Sequence, residues 1–256
     1  MNGVPEHERH VFAPKRHRYC VAVFVINEGE RVRAQLLQMA KLADVVDLVV
    51  ADGGSTDGSL ALDSLDAFRL RALLIKRDVG RLSAQMRMAI AFGLEEGYDG
   101  MVVIDGNGKD DVSAIPHFVQ LLEDGYDHIQ GSRYIRGGHG INTPIARSVG
   151  VRWLHAPLIS LAARKRYTDT TNGFRAYSRR LLEDPRVAPL RDVFVGYELH
   201  YYLAIRAARL GFRCIETPVT RRYPEKGKAP TKIHGIAGNV GILKTLARAL
   251  LGFFDP

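Results

Sequence analysis

Apolar positions in the first half of the chain fall in short β-branched runs that alternate with stretches of helical spacing. Tyr19 to Ile26 is a strand-type run, and Arg31 to Leu42 follows with Val32, Leu36, Met39 and Ala40 on one helical face. The unit recurs, with strands at Val45 to Ala51, Leu70 to Ile75 and Met101 to Ile104. Between them the spacing predicts helices at Thr56 to Ala67, opened by Ser55-Thr56-Asp57, and at Arg81 to Glu95. Ser113 to Glu123 predicts a further helix, with Ser113 at its N-cap and Pro116 near its first turn, and His128 to Gly131 a short strand. Strands alternating with helices predict an α/β fold with a mostly parallel central sheet covered on both faces.

From Gly137 the pattern changes. Gly137-Gly138-His139-Gly140 predicts a loop and Pro144 to Arg166 a long helix with an apolar stripe and many arginines. A helix near Tyr197 to Leu210, a strand from Arg213 to Thr217, a basic loop from Arg221 to Lys232 and a final amphipathic helix from Ile236 to Phe253 complete this more helical portion. Residues 1–18 are expected to be a flexible basic tail. Residues 19–256 are expected to form one domain, with a nucleotide-binding half over 19–135 and an acceptor half over 136–256.

Composition narrows the function. The 256 residues are 46% hydrophobic and 25% charged, as in ordinary globular proteins. A net charge of +8 and a pI near 9.6 predict an anionic partner. No zinc-finger spacing, aromatic ribonucleoprotein motif or basic zipper is present, so nucleic acid is not expected as that partner. Two cysteines, Cys20 and Cys214, make no disulfide framework and fit a reducing compartment. Met1 to Arg18 lacks the apolar core of a secretory signal, and no window reaches the roughly 18 apolar residues of a spanning helix. A cytoplasmic protein, or one peripheral to a membrane, is expected.

Two strand-type runs end abruptly in aspartate and glycine: Val49 to Asp52-Gly53-Gly54, and Met101 to Asp105-Gly106-Asn107-Gly108-Lys109-Asp110-Asp111. In an open parallel sheet the carboxyl ends of the strands line the ligand crevice, so an aspartate there faces a ligand or its metal ion. Adjacent glycines let a polyphosphate approach the backbone. The pair points to an enzyme that handles a nucleotide-activated group. The histidines form no HExxH pattern and no defensible Ser-His-Asp set, which argues against a histidine-dependent hydrolase.

The segments Val25-Ile26-Asn27-Glu28, Asp52-Gly53-Gly54-Ser55-Thr56-Asp57-Gly58, Gly131-Ser132-Arg133-Tyr134, Thr171-Asn172-Gly173-Phe174-Arg175-Ala176-Tyr177 and Glu216-Thr217-Pro218-Val219 occur in this order at suitable spacings. As a set, spanning about Val21 to Lys232, they resemble inverting family 2 glycosyltransferases. The dolichol-phosphate mannose synthase-like branch is the most similar. The resemblance implies a GT-A fold, a Rossmann-like single α/β domain, and transfer of a hexosyl group from a nucleotide sugar to a polyprenyl phosphate.

It further implies that Asn27, Glu28, Asp52 and Asp57 surround the base and ribose of the donor. For Asp57 a helix N-terminal role stands beside the functional one. Asp105 and Asn107 fall on the family's metal-binding DXD motif, which implies Mg2+ or Mn2+ against the donor diphosphate. Here the second acid is replaced by Asn107, and Lys109 stands where relatives often carry another polar ligand. Either Asp105, the Asn107 carbonyl and Asp110 or Asp111 hold the metal, or Lys109 supplies positive charge to the leaving diphosphate. Asp110 and Asp111 also suit the start of the following helix. Arg81 opens a helix whose first amides can receive a phosphate.

Arg133, Arg147 and Arg175 match positions that the resemblance assigns to the lipid-phosphate acceptor, and Lys232 ends the loop that closes over substrate in relatives. Guanidinium groups hold phosphate by bidentate, charge-assisted contacts. Arg175 paired with Asp169 as a purely structural bridge is the competing reading. Asp169 and Glu198 are acidic positions of the family, either of which serves as general base if the acceptor is a hydroxyl. A phosphate acceptor needs no strong base.

Three rival functions remain at this stage. One is transfer to a soluble or glycan hydroxyl, and another is a non-catalytic nucleotide-sugar binding protein that lost its metal site at Asn107. The third, a sugar nucleotidyltransferase, predicts a glycine-rich signature that Val23 to Glu28 lacks. The final amphipathic helix suits a membrane surface as well as a core.

Overall fold

The computed structural model describes residues 3–225, 245 and 247–256. In chain order the first half holds β1 (His7–Val11), β2 (Tyr19–Val25), α1 (Glu30–Met39), β3 (Asp47–Asp52), β4 (Ala72–Lys76), α2 (Leu82–Glu95) and β5 (Gly100–Asp105). Next come α3 (Ile115–Glu123), β6 (His128–Ser132), β7 (His139–Ile141), α4 (Ile145–Gly150) and α5 (Ala156–Ala163). The remainder supplies β8 (Arg175–Ser178), α6 (Arg179–Glu183), α7 (Glu198–Arg209), β9 (Cys214–Pro218) and β10 (Thr220–Arg222).

Eight strands form one sheet in the order β1-β4-β3-β2-β5-β8-β6-β9, and β7 and β10 pair separately. The strands β4, β3, β2 and β5 run parallel, as the alternating pattern predicts, whereas β8 enters antiparallel between β5 and β6. The β2 and β3 residues are buried throughout, because helices cover both faces. Met86, Ile90, Ile159, Leu199 and Leu203 of α2, α5 and α7 pack on one face. Val32, Leu36, Ile115 and Phe118 of α1 and α3 pack on the other. Since β8, β6 and β9 extend the sheet begun by β2 to β5, the two portions of the chain share one core.

Four local expectations differ from the structure. The N-terminal segment expected as a tail contains β1, which pairs antiparallel with β4. Its polar side chains find partners: Glu8 binds Arg77 at 2.7 Å, and the Arg9 guanidinium lies 4.4 Å from the Phe92 ring centre. The helix expected over Thr56 to Ala67 is absent, and two short 3-10 turns, Leu62–Ser64 and Asp66–Phe68, take its place. Asp57 accepts both the Ser59 amide and the Ser59 hydroxyl, a local bonding pattern that competes with helix. The long arginine-rich helix is interrupted between α4 and α5 by a wide turn of π geometry over Val151–His155. Ahead of α3, Asp111 rather than Ser113 acts as a cap, closing the 3-10 turn Val112–Ala114 by accepting the Ser113 amide at 3.0 Å. Most of the final helix, and Lys232, lie outside the described residues.

Candidate active site

A cavity of about 380 Å³ opens at the carboxyl ends of β2, β3 and β5. In register, Val25 pairs with Asp52 and Phe24 with Asp105, so the two strand-end aspartates flank β2 at the same edge. Two strand spacings separate their backbones, about 10 Å. The cavity therefore forms where the sheet ends, as the Asp-Gly pattern predicts.

The residues expected to hold the donor divide between the cavity wall and the loops beside it. Asp52 is 3% exposed, and its carboxylate accepts the Ser55 amide at 2.9 Å and the Ser55 hydroxyl at 2.5 Å. Burial pushes its pKa up, against the lowering effect of Ser55. Asn27 adopts a left-handed backbone, φ +48°, and its side-chain oxygen accepts the Thr56 amide at 2.8 Å. Asp57 accepts the Gly29 amide at 2.8 Å. The last two bonds tie the loop after β2 to the loop after β3. Asn27, Asp52 and Asp57 lie off the cavity wall, while Glu28 and Arg81 are on it. Glu28 also pairs with Arg31 at 2.8 Å.

Gln85 and Lys76 are wall residues that the sequence patterns do not single out. Gln85 donates to the Val25 carbonyl at 2.7 Å and to the Ala51 carbonyl at 3.1 Å, clamping the ends of β2 and β3. A Cβ on Gly53 would come within 2.9 Å of the Gln85 amide nitrogen, so this glycine makes room for the clamp.

The turn after β5 carries the densest charge. Gln35 of α1 donates to the Asp105 carbonyl at 3.0 Å and accepts the Gly108 amide at 2.8 Å, fixing the turn. Arg221 of β10 donates to Asp105 at 3.1 Å and also pairs with Asp110. The backbones of Asp110 and Arg221 form a bridge, and the Arg222 amide donates to the Lys109 carbonyl at 2.7 Å. Tyr223, 2% exposed, presents its ring 5.4 Å from the Lys109 ammonium and 5.9 Å from each of the Arg147 and Arg221 guanidiniums. Burial favours neutral Asp105, but Arg221 and Lys109 outweigh it and hold the pKa below the usual carboxylate range. Burial, reinforced by Arg221, pushes the Lys109 ammonium down to about 8 against the pull of Asp105 and Asp110.

The donor set here does not suit a divalent cation. A hard cation takes six or more oxygen ligands, with carboxylates foremost. The Asp105 carboxylate oxygen that meets Arg221 also accepts the Asn107 amide at 3.3 Å, and the Asn107 oxygen accepts the Lys109 amide at 3.3 Å. One Asp110 oxygen pairs with Arg221, and the other is buried without a hydrogen-bond partner. Among the described residues no group of three His, Cys, Asp or Glu side chains is arranged to hold a metal ion.

The arginines expected to hold the acceptor divide. Arg147, on α4, lines the cavity and has no carboxylate partner among the described residues. Arg175 also lines it, with its guanidinium donating to the carbonyls of His200 at 2.6 Å, Thr170 at 2.8 Å and Asn172 at 2.9 Å. The carboxylate expected as its partner, Asp169, instead binds Arg133 in a bidentate pair at 2.6 and 2.9 Å. That pair is buried, with side chains 1% and 0% exposed, and lies off the cavity wall. Glu198, the first residue of α7, accepts the Val195 and Gly196 amides of the preceding loop at 3.0 and 2.9 Å. Neither acid is placed as a base on the wall.

Six cations, Lys76, Arg81, Lys109, Arg147, Arg175 and Arg221, face two carboxylates, Glu28 and Asp105, around this cavity. Such a balance suits a multiply charged anion at the carboxyl edge of an α/β sheet, where ligands bind. The sequence patterns missed Arg221 and Tyr223 as site residues because β10 reaches Asp105 through tertiary pairing.

Comparison with known proteins agrees with this geometry. Polyprenol monophosphomannose synthase of Mycolicibacterium smegmatis is 28% identical over 93% of this chain and 89% of its own length. Undecaprenyl-phosphate mannosyltransferase of Micrococcus luteus is 26% identical over 82% of this chain and 86% of its own. A crystal structure of glucosyl-3-phosphoglycerate synthase from Mycobacterium tuberculosis, with Mn2+, UDP-glucose and phosphoglyceric acid, superposes with a TM-score of 0.64. It is 18% identical and the match covers 90% of this chain and 79% of that one. No protein-family model matches the chain. The fold is therefore GT-A, and the protein is a glycosyltransferase. In sequence it is similar to the polyprenyl-phosphate mannosyltransferases among these relatives.

Proposed function

We propose that the protein transfers a hexosyl group, with inversion, from a nucleotide sugar to a polyprenyl phosphate at a membrane surface. The observation that carries this reading is the position of Arg147. It lines the cavity from α4, while the same helical segment turns an apolar face to solvent. Ile145 is 82%, Val149 51%, Trp153 78% and Leu161 78% exposed, at intervals of four or eight residues. The wide turn at Val151–His155 adds a residue per turn, which helps keep this spacing on one side. Arg152, Arg164 and Arg166 are exposed around the stripe. Apolar and aromatic side chains framed by arginine suit an anionic bilayer. The lipid tail of the acceptor then stays in the membrane while Arg147 receives its phosphate.

The charge balance supports a phosphate acceptor over a hydroxyl. Both carboxylates on the described wall have cationic partners, Arg31 for Glu28 and Arg221 for Asp105, and Asp169 and Glu198 lie elsewhere. A hydroxyl acceptor needs a base within hydrogen-bond reach. A phosphate oxygen is already anionic. It attacks the anomeric carbon as the bond to the departing nucleoside diphosphate breaks, and the electron pair leaves with the diphosphate. No proton is transferred in that step.

Incubation with a panel of nucleotide sugars, with and without polyprenyl phosphate, tests the reading through nucleoside diphosphate release. Release that depends on the lipid phosphate is expected. Release with soluble hydroxyl acceptors alone refutes it.

A further inference from the structure

Relatives in fold are crystallised with Mn2+ or Mg2+, yet the turn after β5 in this chain is filled by its own cations. We infer that Lys109 and Arg221 together take the place of a divalent metal and bind the donor diphosphate as fixed charges, so that this enzyme works without metal. The inference rests on the donor reading above.

Three features support it. First, one carboxylate oxygen each of Asp105 and Asp110 meets Arg221, and Asn107 is held between Asp105 and the Lys109 amide. Arg221 and Lys109 also bring the charge that a dication would bring, which leaves little local field to attract one. Second, the two cations are preorganised. Lys109 and Arg221 sit on segments zipped together by the Arg222 to Lys109 bond, the Asp111 to Thr220 bond at 3.0 Å and the Asp110–Arg221 bridge. Tyr223 covers both from one side. Cations fixed before the reaction stabilise developing charge without reorganisation. Third, both lie on the cavity wall beside Asp105, at the edge where the nucleotide crevice is expected.

In the transfer step the bond from the anomeric carbon to the diphosphate oxygen breaks while the acceptor oxygen forms its own bond to that carbon. The negative charge that grows on the leaving oxygen is met by the ammonium of Lys109 and the guanidinium of Arg221. Arg221 has donors enough to keep Asp110 and reach a phosphate, since a guanidinium carries five N–H groups.

The test is calorimetric titration of UDP and of GDP into the full chain, in EDTA and in excess Mn2+, with the spin-resonance signal of Mn2+ followed in parallel. The better-bound nucleotide is expected to bind within about twofold of the same affinity in both buffers, with the Mn2+ signal at the amplitude of the nucleotide-only control. Lys109→Met, which keeps length but loses charge, is expected to weaken binding in EDTA by about tenfold or more, the size of a lost charged hydrogen bond. Lys109→Arg is expected to retain most of the affinity, and circular dichroism checks that both variants fold. Binding at least about tenfold tighter in Mn2+, a protein-dependent fall in the Mn2+ signal, or undiminished affinity in folded Lys109→Met overturns the inference and leaves the donor reading intact. Absence of binding in both buffers overturns the two together.

Discussion

Asp169→Asn separates a structural carboxylate from a catalytic one. The wild-type side chain is fully buried, receives Arg133 at 2.6 and 2.9 Å, and accepts the Arg133 backbone amide at 3.2 Å. The amide variant keeps the shape but leaves a guanidinium buried without its counter-charge. Breaking a buried pair in this way costs about 3–5 kcal/mol, against a total stability of about 5–15 kcal/mol for a typical domain. For a chain of this size that corresponds to a fall in Tm of about 6–20 °C. The double variant Arg133→Met/Asp169→Leu removes both charges and is expected to recover most of the loss, because an apolar pair of similar volume is often neutral. Urea denaturation of the wild type, the single and the double variant measures the three stabilities, and nucleoside diphosphate release gives the rates. If Asp169→Asn unfolds at the wild-type midpoint while its kcat falls a hundredfold or more, as about 10²–10⁴ is expected for a lost general base, the structural assignment is wrong.

Three further outcomes follow from single contacts. His128 is buried against Tyr167 and Tyr177, and burial, with the Arg175 charge, pulls its pKa down to about 3. The unfolded chain binds this proton near pH 6.5, so the stability is fully present above that value and is lost as pH falls towards 3, by about 1.4 kcal/mol per unit at most. His128→Phe is expected to lose less stability than the wild type between pH 7 and 5 in urea melts, and equal losses contradict this. A Cβ on Gly173 would stand 2.8 Å from an Asp105 carboxylate oxygen. Gly173→Ala is expected to cut kcat/KM by about tenfold, a displacement worth about 1.4 kcal/mol, and an unchanged rate removes Asp105 from the reacting centre. Trp153→Ala/Leu161→Ala is expected to weaken sedimentation with anionic vesicles by about tenfold or more, since each buried large apolar side chain contributes about 1.5–3 kcal/mol. Unaltered binding excludes the α4–α5 face from docking.

The sheet was legible because its strands are short apolar runs that end at aspartate, and their pairing puts Asp52 and Asp105 at one edge as their sequence context predicts. The edge strand β1 was not legible. Its residues His-Glu-Arg-His-Val carry no apolar alternation, and its stability comes from pairing with β4 and from distant partners such as Arg77. In the site, arginines could be recognised as a group but not sorted. Arg133 and Arg175 are equally basic in sequence, yet one is neutralised by Asp169 and the other is held by three backbone carbonyls on the cavity wall. In sequence Arg221 belongs to a charged loop, because its contact with Asp105 spans 116 positions. Asp57 was read both as a nucleotide contact and as a helix start. It accepts the Gly29 and Ser59 amides in a segment that forms no α-helix.

Transfer of a labelled hexose from its nucleotide to polyprenyl phosphate, followed by extraction into organic solvent, tests the central claim most directly. The account predicts label in the organic phase only when the lipid phosphate is supplied, at a rate unchanged by EDTA and with inverted configuration at the anomeric carbon. Label that appears only on water-soluble acceptors contradicts it.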